Sequence, residues 1–512
     1  MGGHAQAQAL PVVPSIAPSA PPIHVAAAPL CFNVEHLYIV GATRELGFLQ
    51  SDIGRYAGTC IGIDQIKNIS SQLTDDLVAH GYVTTRVRVP SQNLASGTLE
   101  FVVTPGIIHD IRFSKKAHTT WKDAYPTRPG DLLDERDLEQ GLEQMQRVPS
   151  QDVHVAIAPA SVPGQSDLII DVKQSNPARI VWDVNDAGSS STGKIQGSMT
   201  LDYDNALHAN DLFHIALNTN VQGGSIGGGQ RGDSFYYSIP AGYWTVEAST
   251  SRYTYSQTIA GIYSPYTLSG TSNSTSISAQ KMVYRTQHAK TSLTVSLTTS
   301  DSHSYLDDAE IGVQRRNETY GEVQLERSWS DGRSSLDVSA GMRMGLPMLG
   351  TTPDYKVANA PTSAYTMEVV NATGSVPLTS HHILWQPQLS LQETNDAVLY
   401  PNDQFAIGNR YTVRGFDGSA SLAAESGYFL RNDFVFPGPS THQFYVAVDT
   451  GQVWGMSALT LAGKSLTGTA IGVKGKYHNM AYNVFSGIAI HAPAALYQTA
   501  QPAGGFDLQF QI

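Results

Sequence analysis

Phe506-Asp507-Leu508-Gln509-Phe510-Gln511-Ile512 alternates apolar and polar side chains without a break. A strand sends successive side chains to opposite faces, so this stretch has one apolar and one polar wall. The pattern recurs upstream. Ala178, Ile180, Trp182 and Val184 alternate with Arg179, Val181, Asp183 and Asn185. Ile195, Gly197, Met199, Leu201 and Tyr203 alternate with Lys194, Gln196, Ser198, Thr200 and Asp202. Phe213, Ile215 and Leu217 repeat it, as do Trp244, Val246 and Ala248. Alternation alone also suits a soluble β-sandwich. Polar walls bearing Lys, Asp and Gln fit a wet lumen, however. Connections alternate between short (204–210) and longer, Gly/Ser-rich ones (221–233), as in membrane barrels. At roughly twenty residues per strand and connection, 178–512 holds about sixteen antiparallel strands.

Composition agrees with this reading. The chain has 512 residues, too many for one ordinary core. Only 15% are charged, well under the usual share of soluble domains. Mean hydropathy is −0.18, and no stretch approaches the roughly 18 consecutive apolar residues of a spanning helix. The formal net charge of −12 repels phosphate backbones and argues against a nucleic-acid partner. Cys31 and Cys60 are the only cysteines, and such a pair fits either a disulfide or two buried thiols.

Before residue 178 the pattern is α+β. Residues 32–40 read as a strand. Residues 64–80 read as a helix, with Ile66, Ile69, Leu73 and Leu77 at helical spacing and Gly81 as its stop. Residues 82–89 and 99–103 read as strands on either side of a Ser96-Gly97 turn. A second copy follows: strand 107–113, helix 134–146, strands 154–157 and 168–172. This is a tandem repeat of about seventy residues. The expected divisions are 31–106, 107–175 and the barrel 178–512. Residues 1–30 are a Pro/Ala-rich linker, in which Ala5-Gln6-Ala7-Gln8-Ala9 has the small-residue spacing of a signal-peptidase site.

No catalytic grouping stands out. Ala462-Gly463-Lys464-Ser465 lacks the leading Gly of a phosphate-binding loop, because Ala458 stands there. The sixteen histidines lack the spacing of a zinc protease. Arg231-Gly232-Asp233 is an adhesion-like tripeptide of a kind common by chance, and reads as part of a Gly-rich loop. The chain is therefore expected to be no enzyme and to need no cofactor or metal.

A more distinctive run lies at 401–430. Gln404-Phe405-Ala406-Ile407-Gly408-Asn409 leads to Val413-Arg414-Gly415-Phe416, then to Gly427-Tyr428 and Arg431-Asn432-Asp433. It resembles the long sixth extracellular loop of two-partner secretion transporters of the haemolysin/haemagglutinin secretion-activation family. That loop folds back into the barrel and carries a V-R-G-Y/F tip. Phe444-Tyr445-Val446-Ala447-Val448-Asp449-Thr450-Gly451 resembles the family's F-x-D-x-G strand motif. Gly81-Tyr82-Val83-Thr84-Thr85-Arg86-Val87 and Pro90-Ser91-Gln92-Asn93-Leu94 resemble its first POTRA domain, and 235–244 its early barrel strands. The resemblance runs from Cys31 to Ile512, with the motifs in the family's order. Asn409 replaces a usual Gly, and Pro11, Pro14, Pro18, Pro21 and Pro22 oppose the plug helix of some relatives.

The resemblance implies two small α+β POTRA domains in the periplasm and a sixteen-stranded outer-membrane barrel, its outer face against lipid. It implies export of an unfolded exoprotein, a large β-helical haemolysin or adhesin. An insertase of the same superfamily and a diffusion porin are the alternatives; the insertases usually carry more periplasmic domains, and a porin needs none. The oxidising periplasm favours a Cys31–Cys60 disulfide. Strands bearing Val153, Val155 and Ile157, or Leu168 and Ile170, are candidates to bind cargo by strand addition. The motifs imply that Arg414 at the loop tip pairs with Asp449. The strand phase agrees, because Phe444, Val446 and Val448 form an apolar row, which turns Tyr445, Ala447, Asp449 and Gly451 to the lumen.

Overall fold

The computed structural model describes residues 31–189, 192–221, 229–259, 264–378, 383–395, 397–497 and 502–511. The linker 1–30 with its cleavage-site pattern, and Ile512, lie outside these residues. The chain forms two compact units, 1–106 and 107–512.

In the first unit the helix Ile63–Ala79 buries Ile66, Ile69, Leu73 and Leu77. Its first turn is capped by Gln65, whose side chain accepts from Gly62 N at 2.9 Å. Gly81 takes φ 95°, a left-handed conformation that ends a helix readily. The turn consumes the next residues: Tyr82 N bonds Leu77 O and Thr85 N bonds Tyr82 O. The strand expected over 82–89 is thereby cut to Arg86–Arg88. The strand expected over 32–40 is split. Cys31–Val34 pairs with Thr59–Gly62, while His36–Val40 runs parallel to Thr98–Thr104. At the break, Glu35 N and His36 N both donate to Gly97 O. A short helix, Phe48–Gly54, is an element the periodicity did not signal. Cys31 and Cys60 form a disulfide across the small two-stranded sheet.

The second unit begins with a domain of the same kind. Its sheet order is Ile107–Phe113, Gln165–Gln174, Gln151–Pro159. The helix Glu135–Gln146 starts at Asp134, whose carboxylate accepts from Arg136 N at 2.9 Å. Gly141 on this helix lies against the fully buried Tyr125 ring, where an added Cβ would sit 2.3 Å from ring carbons.

From Ala178 the chain meanders through sixteen antiparallel strands that close into a barrel. A two-residue piece, Ala309–Glu310, extends one hairpin. Closure comes from Ala503–Gln511 pairing with Ala178–Asn185 over five residue pairs. The outward rows follow the alternation: Trp182 is 46% exposed, Leu217 46%, Val246 41%. Arg231-Gly232-Asp233 is not in a loop. It lies inside the strand Gly229–Ala241, paired with Asn218 and Arg252 neighbours on both sides. The long connection expected over 221–233 therefore ends at 228, and its 222–228 segment lies outside the described residues. No helix is long and apolar enough to cross a membrane, which says nothing of the barrel.

Candidate functional site: a loop anchored inside the barrel

The strands Leu384–Thr394 and Ser426–Pro437 are neighbours, yet the long segment 395–425 lies between them. The loop expected over 401–430 thus ends at 425, because 426–430 already pair in the barrel wall. Within it Phe405–Ile407 pairs with Leu422–Ala424, giving the loop its own small hairpin. Ile407, Val413, Phe416, Leu422 and Ala424 are buried in one apolar cluster with Phe429, Val453 and Leu466 of the barrel side. Glycines make room for the tip. Gly415 has φ 98°, and a Cβ there would lie 2.4 Å from Ile488 O. On the inner wall, a Cβ at Gly468 would lie 1.8 Å from Arg414 O. Gly451 is approached less tightly, a Cβ there lying 3.2 Å from side-chain carbons of Val413 and Ile407.

Arg414 is 2% exposed and Asp449 fully buried. Arg414 Nε donates to Asp449 Oδ2 at 2.6 Å and Nη2 to Oδ1 at 2.8 Å. The Arg414 backbone N adds a third bond to Oδ2 at 3.0 Å. A planar fork on one carboxylate gives both strength and orientation. Nη2 also reaches Asp433, and the guanidinium lies 5.7 Å from the Tyr445 ring centre. The structure thus brings Val413, Arg414, Gly415, Phe416, Asp449 and Gly451 together. Phe444 stands apart, 53% exposed on the outer face. Asp433 was quoted in the motif but given no role. Its phase could have found it: Phe434 and Phe436 face outward, so Asp433 shares the inner row with Arg431 and faces Ala447.

Sequence reasoning missed a second anchor. Arg410 Nη1 donates to Asp186 at 2.7 Å, and Nη2 donates to Asp507 at 2.9 Å and to Phe506 O at 3.2 Å. Asp186 follows the first barrel strand, and Asp507 lies on the last. Arg410 therefore ties the loop to both sides of the closing seam. Asp186 also accepts from Phe506 N at 2.8 Å.

A third contact set joins the 107–175 domain to the barrel turns nearest it. Gln144 Nε2 donates to Gly242 O and Thr245 Oγ1, and Gln140 Nε2 to Gly242 O. Tyr243 OH donates to Asp137 at 2.6 Å, and Asn210 Nδ2 to Asp123 at 2.8 Å. Lys290 Nζ donates to Glu143 at 2.7 Å, and Arg285 binds the same carboxylate. Burial pushes the Glu143 carboxyl up, but these two cations more than offset it and hold it below the usual range.

The two candidate cargo strands differ. Gln165–Gln174, with Leu168 and Ile170, is the middle strand, paired on both sides, so it cannot accept an added strand. That expectation is corrected. The parallel crossover from Ile107–Phe113 puts the last segment in the centre and leaves Gln151–Pro159 at an edge. On that edge Val153 is buried, Val155 half-buried and Ile157 42% exposed. Gln146 Nε2 already occupies Val153 O at 2.9 Å.

A closed barrel with small repeat domains and a loop locked inside defines a class: outer-membrane transporters with POTRA domains. The family model for haemolysin secretion/activation protein ShlB/FhaC/HecB matches residues 164–475. Models for a ShlB-type POTRA domain and a POTRA domain match 32–106 and 107–159. The chain belongs to this haemolysin secretion/activation family. It is 36% identical to outer membrane transporter CdiB-2 of Burkholderia pseudomallei over 91% of this chain and 81% of that protein. It is 26% identical to CdiB of Dickeya dadantii over 86% and 79%. Its fold is similar to that of CdiB from Escherichia coli, with a TM-score of 0.86 at 23% identity over 96% of this chain and 93% of that one. BamA from Haemophilus ducreyi shares the fold more loosely, at TM-score 0.53 and 14% identity over 94% and 100%. The chain is thus a two-partner secretion transporter of the outer membrane, with periplasmic POTRA domains and a secreted exoprotein partner. It is a transporter, not an enzyme.

Proposed function

We propose that Arg414 and Asp449 form a latch that holds the long loop in the pore and sets the conducting conformation. The observation that carries this reading is the threefold grip of a buried arginine on a fully buried carboxylate. Removing either partner strands the other charge, at about 3–5 kcal/mol for deep burial. Arg414→Ala and Asp449→Ala are each expected to reduce secretion of the partner exoprotein while the barrel still inserts. Normal secretion in either variant sinks the latch.

The cargo we infer is a large β-helical protein of the haemolysin or adhesin kind, in keeping with the name of one 22% identical relative, hemolysin transporter protein ShlB of Serratia marcescens. Residues 31–106 and 107–175 act as the two capture domains. The cargo adds as a strand to the open edge Gln151–Pro159, whose unpaired backbone groups recognise extended chain with little regard to sequence. Folding of the cargo outside then prevents its return. Val155→Pro removes one backbone donor and kinks this edge. It is expected to lower cargo binding and secretion with the domain still folded; unchanged values count against this edge.

A further inference from the structure

The outer wall of the barrel carries a groove of about 900 Å³. Most of its lining belongs to the outward-facing row of each strand: Trp182 pairs with Met199, Met199 with Leu217, and Ile215 with Phe235 in register. Met199, Leu217 and Phe235 form its apolar floor, while Arg231 and Arg252 stand at one end. Register fixes that end. Ile215 faces Phe235, Leu217 faces Asp233, and Thr219 faces Arg231, so the outward row passes from apolar to charged along one direction. Asp233 faces Arg252 on the next strand. The 107–175 domain holds the turns at the opposite end of these strands, around Asn210 and Gly242. The charged end is therefore the extracellular border of the lipid-facing belt.

Both arginines are exposed, and among the described residues neither guanidinium is engaged in an ion pair. No other Arg or Lys faces outward on the extracellular half of the described strands. The outward charges elsewhere at that level are acidic: Asp301, Glu368 and Glu393. In a chain of net charge −12, two cations outside any ion pair, set diagonally across neighbouring strands over an apolar groove, form a local anion site. Asp233 offsets one of the two charges and leaves an excess of one.

We propose that this groove binds lipid A of the outer leaflet, a phosphate on Arg231 and Arg252 and an acyl chain along Leu217 and Phe235. Charge complementarity selects a phosphate headgroup, since a guanidinium fork matches phosphate oxygens in two-point contact. The continuous apolar floor selects a lipid over free phosphate, since it would bury hydrocarbon rather than water. The acidic groups around the rest of the border confine the site to this sector.

The test uses the full chain in mild detergent, with folding verified by heat-dependent gel mobility. Native mass spectrometry would follow binding of bisphosphorylated lipid A, its dephosphorylated form and a zwitterionic phospholipid. The unaltered protein is expected to prefer bisphosphorylated lipid A. R231Q/R252Q should weaken that binding by about tenfold or more and leave the dephosphorylated lipid unchanged. R252Q alone should lose part of the preference, which serves if the double variant folds poorly. R327Q removes an outward cation at the periplasmic end and should change nothing. Equal binding of all three lipids, no loss in R231Q/R252Q, or an equal loss in R327Q would each overturn the proposal.

Discussion

The loop is held at two places that differ in kind. At the tip, Arg414 sits in a dry pocket on strands that pair over twelve residues, Ser426–Pro437 with Gln443–Trp454. At the seam, Arg410 reaches carboxylates that are 9% and 36% exposed, beside a ladder of only five pairs. The first anchor grips a wall that is already secure. The second bridges the junction with the fewest pairs between full barrel strands among the described residues. The tip therefore decides where the loop is, and the seam anchor adds cross-links where backbone pairing is short. Charge burial separates the two in energy: the Arg414–Asp449 pair is 2% and 0% exposed and costly to break from one side, whereas Arg410 shares its charge with Asp507, 36% exposed, and that wetter pair is worth less.

That contrast can be broken by space as well as by charge. Gly468→Ala leaves every charged group in place but sets a Cβ 1.8 Å from Arg414 O. Overpacking of this sort costs roughly 1–3 kcal/mol or more and should expel the tip. Secretion is expected to fall nearly as far as in Arg414→Ala, with the loop newly open to protease. Unaltered secretion would mean that the tip position does not matter. Arg410→Gln should cost less, about 1–2 kcal/mol, and act on the seam. The expected sign is a lower midpoint for the heat-induced mobility shift of the barrel, with Arg414 still protected. A fall in secretion equal to that of Arg414→Ala would erase the distinction between the anchors. Lys290→Ala is the smallest case. Its pair with Glu143 is 44% and 42% exposed, and Arg285 remains on the same carboxylate. An effect under about 1 kcal/mol on stability is expected.

The same contrast explains what could be read in advance. Barrel strands such as Ala503–Gln511 were legible because one wall meets lipid and the other water, which imposes a period of two. The tip residues were legible through the resemblance, and Asp449 also through its phase beside Val446 and Val448. Arg410 was not, because its partners lie 224 and 97 residues away and meet only when the barrel closes. The order of strands in the 107–175 sheet was equally hidden. Gln151–Pro159 and Gln165–Gln174 both alternate, and only the crossover geometry decides which is the edge. Arg231 and Asp233 were misplaced into a loop because Gly-rich sequence on their N-terminal side outweighed the alternation that continues through Phe235.

The most direct measurement is a double-mutant cycle on Arg414→Ala and Asp449→Ala, read as exoprotein secretion and loop protease protection in barrels that insert normally. A latch that works as one unit requires the double variant to be little worse than either single one. Fully additive losses, with each residue acting alone, would contradict it.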